Sequence, residues 1–98
     1  MISAIHCRAA RALLQLSRQA LAKELGIDVA VIQAFEQEVA DPGIEAKTTL
    51  EQWFEQNGVV FLFEDDTGGA GARLKYNRSG VKAIRRWESE GGSGGDDV

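Results

Sequence analysis

Up to Gly58 the apolar residues return every three or four positions, and beyond it the period shortens. In residues 4–16, AIHCRAARALLQL, the positions Ile5, Ala9, Ala12, Leu13 and Leu16 recur at helical spacing with no Gly or Pro between them, which predicts a first helix. Ser17 suits the N-cap of a second, RQALAKEL, whose Leu21, Ala22 and Leu25 form one stripe and which Gly26 can end in the left-handed conformation. Asp28 then caps a third, VAVIQAFEQE, with Ile32 and Phe35 facing inward. Pro42 and Gly43 break the pattern. IEA reads as a single helical turn, and Thr48 or Thr49 starts a fourth helix, LEQWFEQN, with Leu50, Trp53 and Phe54 on its apolar face and Asn57–Gly58 as its stop.

After Gly58 the residues become β-branched and aromatic. VVFLFEDD reads as a strand, TGGAG as a turn and ARLKYNR as a second strand. A lone two-stranded ribbon is marginal in water, so it must pack on the helices or pair with another chain. SGVKAIRRWE follows as a short amphipathic helix, with Val81, Ile84 and Trp87 turned inward or towards a partner, and SEGGSGGDDV has the composition of a disordered tail. The division is a helical domain over 1–58, a hairpin over 59–77, a short basic helix over 78–90 and a tail over 91–98. The fold class is mostly α, a helical bundle with an appended β-hairpin and a short C-terminal helix.

Charge changes the picture in the middle of the chain. The 98 residues carry a net charge of −4, against the basic surface that a nucleic-acid partner selects. The mean hides a division. Residues 1–66 hold five cations (Arg8, Arg11, Arg18, Lys23 and Lys47) against eleven acids, whereas residues 67–98 hold six (Arg73, Lys75, Arg78, Lys82, Arg85 and Arg86) against four. The single cysteine, Cys7, excludes an intrachain disulfide and suits a reducing compartment. The start MISAIHCRAARALLQL does not read as a signal peptide, and no apolar run approaches a membrane span, so a cytoplasmic protein is expected.

The candidate chemistry lies in residues 17–38. A small residue, Ala22, stands where two helices would cross. Gly26 permits a tight turn, and Leu21, Leu25, Ile27, Ile32 and Phe35 would pin the angle. Two helices so held can place the second in a major groove. The residues Ser17-Arg18, Leu21-Ala22, Gly26-Ile27-Asp28, Ile32 and Phe35-Glu36 resemble the Cro/λ-repressor-like helix-turn-helix family, also called XRE. The lead CRAARALLQLS and the continuation EQNGVVFLFEDDTGGAGARLK are similar to a small bacterial subgroup with a C-terminal Gly-rich hairpin.

The resemblance implies a λ-repressor-like bundle that regulates transcription, in many cases as a repressor, by binding double-stranded DNA as a homodimer. It implies a structural ion pair between Arg11 and Glu36. It places Val29, Ala30, Gln33 and Gln37 towards bases, with Ser17, Arg18, Lys23 and Asp28 completing the DNA-binding set and Arg18 and Lys23 holding phosphates. Gln can pair with adenine and Val or Ala can touch a thymine methyl, which suits an A/T-rich half-site. Two departures weigh against this. The family's usual Gln after the Ser is Arg18 here, and the third helix has no Lys or Arg. The alternative is a helix-turn-helix scaffold that has lost base readout and binds a protein instead, as an antiactivator or antirepressor would.

Other features are weaker. RLKYNRSGVKAIRRWE would serve as a phosphate arm through Lys75, Arg78, Lys82, Arg85 and Arg86, or as a solvated face pairing with the acidic body. The strand VVFLF is too apolar for an open edge; it packs on the last helix or pairs with a second chain. His6-Cys7 is isolated, so no metal is expected, and the acids of FEDD read as a solvated hairpin end. TGGAGA lacks the ending of a phosphate loop. No catalytic set and no cofactor site emerge, and an enzyme is not expected.

Overall fold

The computed structural model describes residues 1–76, and the predicted basic helix and tail lie outside them. Four helices precede an antiparallel hairpin: α1 (Ala4–Leu14), α2 (Arg18–Leu25), α3 (Val29–Glu36), α4 (Ile44–Gln56), β1 (Val59–Leu62) and β2 (Gly71–Leu74). The chain is thus a mostly helical small domain with a short two-stranded ribbon.

The caps of the central pair follow from the residues that form them. The Ser17 hydroxyl accepts from the Ala20 N–H at 3.0 Å, and the Asp28 carboxylate accepts from the Ala30 N–H at 2.9 Å. Gly26 ends α2 at φ 68°, a conformation that costs other L-residues more than glycine. The left-handed positions that end α1 and α3 are filled without glycine. Gln15 stands at φ 58° and Glu38 at φ 61°. In each case two backbone bonds close the helix end: Leu16 N–H to Arg11 O and Gln15 N–H to Ala12 O, then Val39 N–H to Ala34 O and Glu38 N–H to Phe35 O.

One core joins all these elements. Ile2, Cys7, Ala10 and Leu14 meet Leu21 and Ala22, Ile32 and Phe35, Leu50 and Phe54, and Val59 and Phe61. The stripe on α1 differs from the expected one. Ala4, His6, Cys7, Ala10 and Leu14 are buried, while Ile5 and Ala12 are exposed and Ala9, Leu13 and Leu16 lie at the margin. Hydropathy misleads here because His6, a poor core former by appearance, is placed inward and has partners there.

The fourth helix is longer than predicted. It starts at Ile44 behind Gly43, so Thr48 and Thr49 are interior residues. The Asp41 carboxylate accepts from the Gly43 N–H at 2.7 Å and pairs with Lys47 at 2.9 Å, which fixes the turn just before the helix. The strands are shorter than predicted, because the acids after Phe63 form a turn in which Asp65 accepts from Thr67.

β1 and β2 pair in register from Val59↔Leu74 to Leu62↔Gly71. Val59 and Phe61 point into the core, and Phe61 meets Phe54 and His6 edge-on. The ribbon therefore packs on α1 and α4. His6 fastens it: its Nε2 donates to Leu62 O at 2.8 Å, and its Nδ1 accepts from Ser3 N–H at 3.1 Å and Ser3 Oγ at 2.9 Å. A carbonyl can only accept, so Nε2 carries the ring proton.

Candidate nucleic-acid interface

α2 and α3 pack against one another through Leu21, Ala22, Ile32 and Phe35, with Gly26 at the turn between them. What orients α3 is a charge buried at its C-terminal end. Glu36 is fully buried. Its carboxylate accepts from Arg11 Nε and Nη2, each at 2.7 Å, and from Arg18 Nε at 2.8 Å. Arg11 also donates to Leu16 O at 2.9 Å, and Arg8 donates to the backbone carbonyl of Glu36. One carboxylate thus ties α1, α2 and α3 together.

The electrostatics of this hub oppose one another. Burial pushes the Glu36 carboxyl up, but hydrogen bonds from Arg11, Arg18 and the Cys7 thiol outweigh it and hold the group at about 2. The hydrogen bond to Glu36 raises Arg11 above its ordinary value. Burial, then the neighbouring Glu36, pushes the Cys7 thiol well up, so it stays protonated.

The residues predicted to meet DNA divide into groups. Ala30, Gln33 and Gln37 are exposed, and their spacing puts them on one outer face of α3 with half-buried Ala34. Val29 departs from expectation. It is half-buried against the core, because the first turn of α3 leans on α2. Val31, exposed on the flank of the same helix, is the apolar side chain that spacing alone missed. Ser17 and Asp28 are exposed but already engaged as caps.

Arg18 also departs from a simple phosphate ligand, because its Nε is committed to Glu36 and only its two terminal nitrogens remain to meet another group. Arg8 was not singled out from sequence, and only the buried carbonyl it reaches reveals its role. Among the described residues, Lys23 is exposed and makes no ion pair. Lys75 lies over the Tyr76 ring, 5.6 Å from its centroid, and Arg78, Lys82, Arg85 and Arg86 lie outside the described residues.

Among the described residues no group of three or more His, Cys, Asp and Glu is placed to hold a metal, and no helix is long and apolar enough to cross a membrane. The chain matches no family model and no curated protein.

Proposed function

We propose that this protein is a λ-repressor-like, XRE-type helix-turn-helix regulator that reads double-stranded DNA as a dimer, with α3 in the major groove. The observation that carries this reading is the outer face of α3. Ala30, Gln33 and Gln37 are exposed there, the two Gln side chains without a hydrogen-bond partner among the described residues, on a helix held from behind. Gln33 and Gln37 offer the donor and acceptor pair that adenine matches, and Ala30 and Val31 offer methyl groups to thymine. Lys23, the terminal nitrogens of Arg18 and the helix N-termini supply phosphate contacts.

Selection of duplexes from a random library tests the reading. Enrichment of A/T-rich half-sites about 10 base pairs apart is expected from a two-fold dimer; a library that emerges without a motif would contradict it.

One observation favours a second reading, a scaffold that binds a protein partner. Arg8, Arg11 and Arg18 turn onto Glu36 or its carbonyl, so three of the five cations of residues 1–66 serve the interior. Retention of a partner protein by a variant with Gln33 and Gln37 replaced by Ala, with no duplex bound by the parent, would select this alternative.

A further inference from the structure

The two edges of the hairpin ribbon differ. Lys75 N–H donates to Gly58 O at 2.7 Å, and hydrogen-bonded pairs alternate along an antiparallel ribbon, so Arg73 and Gly71 bond inward to Val60 and Leu62. Val59 and Phe61 on β1, and Ala72 and Leu74 on β2, therefore direct their N–H and C=O groups away from the partner strand. The β1 edge is closed, since Val59 is 2% and Phe61 8% exposed. The β2 edge is open. Gly71, Ala72 and Leu74 are half-buried, and Arg73 and Lys75 are exposed. Among the described residues no backbone group meets Ala72 or Leu74 from outside the ribbon, and only the Arg73 guanidinium reaches Leu74 O, at 3.3 Å. Such a row of unpaired groups is a template for another strand.

We propose that β2 pairs antiparallel with β2 of a second copy, about a two-fold axis at Ala72, to make one four-stranded sheet. This names the surface of the dimer in the proposed function and rests on that reading for the two-fold. Charge selects the occupant. The ribbon is acidic at its tip, where Glu64, Asp65 and Asp66 are exposed, and cationic towards its base, where Arg73 and Lys75 are exposed. A second copy running antiparallel sets the tip of each ribbon beside the base of the other, so opposite charges meet. Charge also selects the register. Centring on Ala72 places Arg73 opposite Gly71 and Lys75 opposite Gly69. A Cβ at either glycine would meet no atom within 4 Å, so the cations have open space in which to reach towards the tip acids. Centring on Arg73 would stack the two Arg73 side chains, and like charges directly opposite destabilise a sheet. In the favoured register Ala72 bonds Ala72 of the second copy, and Leu74 bonds its Ala70.

The test uses the full chain without DNA, so that a failure of base reading does not bear on it. Sedimentation equilibrium should show a monomer–dimer equilibrium at micromolar concentration. Ala72→Pro removes the outward N–H and leaves the bonds between β1 and β2 in place, so it should give a monomer with the far-ultraviolet circular dichroism of the parent. A parent that stays monomeric across the micromolar range would overturn the proposal, as would a folded Ala72→Pro variant that still dimerises. Crosslinking in a glutathione redox buffer reads the register, and it decides the matter if Ala72→Pro fails to fold. Cys7 is buried, so an equimolar mixture of Gly71→Cys and Arg73→Cys chains reports on the new thiols. The mixture should crosslink several-fold faster than either variant alone. Equal rates, or faster crosslinking of Arg73→Cys by itself, would contradict the pairing.

Discussion

Helix α3 carries opposite chemistry at its back and its front. At the back, Glu36 is buried, ionised and held by Arg11 and Arg18, with Arg8 on its carbonyl. At the front, Ala30, Gln33 and Gln37 are exposed and uncharged, and the two Gln side chains have no hydrogen-bond partner among the described residues. Three arginines fix the helix from behind, and the outward face is left to amides and methyl groups. A face built in this way can discriminate by hydrogen-bond pattern, while its electrostatic attraction to a polyanion is weak. Under the proposed function the difference separates two properties that one mutation often confounds: the back would set stability, and the front would set choice.

The largest effect should come from the back. Glu36→Gln leaves two guanidinium groups without their anion, and loss of one partner from a buried pair costs about 3–5 kcal/mol. Urea denaturation should register that loss; a change below about 1 kcal/mol would mean that the hub is not what fixes α3.

Acid should weaken the same contact. Glu36 is held at about 2 in the folded chain against an ordinary 4.5, so its contribution is complete above about pH 4.5 and is lost as pH falls towards 2. The shift corresponds to about 3 kcal/mol. Stability followed by urea titration from pH 5 downward should fall more steeply in the parent than in the Glu36→Gln variant, and parallel curves would remove Glu36 as the titrating group.

The front should behave inversely. Replacing Gln33 and Gln37 by Ala should leave the urea midpoint nearly unmoved, yet cost about 1–3 kcal/mol of preference for the selected duplex per bidentate pair lost. Preference retained in the double variant would move base readout elsewhere.

The smallest effect lies at the junction of the two faces. Glu38 holds φ 61° where glycine is usual, so Glu38→Gly should raise stability by up to about 1 kcal/mol, read as a small rise in the thermal midpoint. A fall would show that the Glu38 side chain contributes more than its backbone strain costs.

Much of the fold was legible because its signals are local. Ser17, Gly26 and Asp28 each act within four residues of their own position, and the caps they announce are present. The α1 stripe was not legible, since His6 is buried only by virtue of Ser3 and of Leu62, which lies 56 residues away. The start of α4 was misread because Thr48 and Thr49 look like caps, while the true boundary depends on Asp41 bending back to Gly43.

The candidate site divides in the same way. The outward position of Gln33 and Gln37 follows from helical spacing, and the pairing of Arg11 with Glu36 was expected from resemblance. The engagement of Arg8 and Arg18 could not be read, since it depends on how three helices converge on one carboxylate.

The proposed function requires that the front of α3 read bases. Fluorescence anisotropy of the full chain against its own upstream region and a scrambled duplex, across a salt series, tests it most directly. Tighter binding to the upstream region is expected at every salt concentration, with a shallow negative slope that matches few phosphate contacts. Equal, weak binding to both duplexes that vanishes near physiological salt would contradict it.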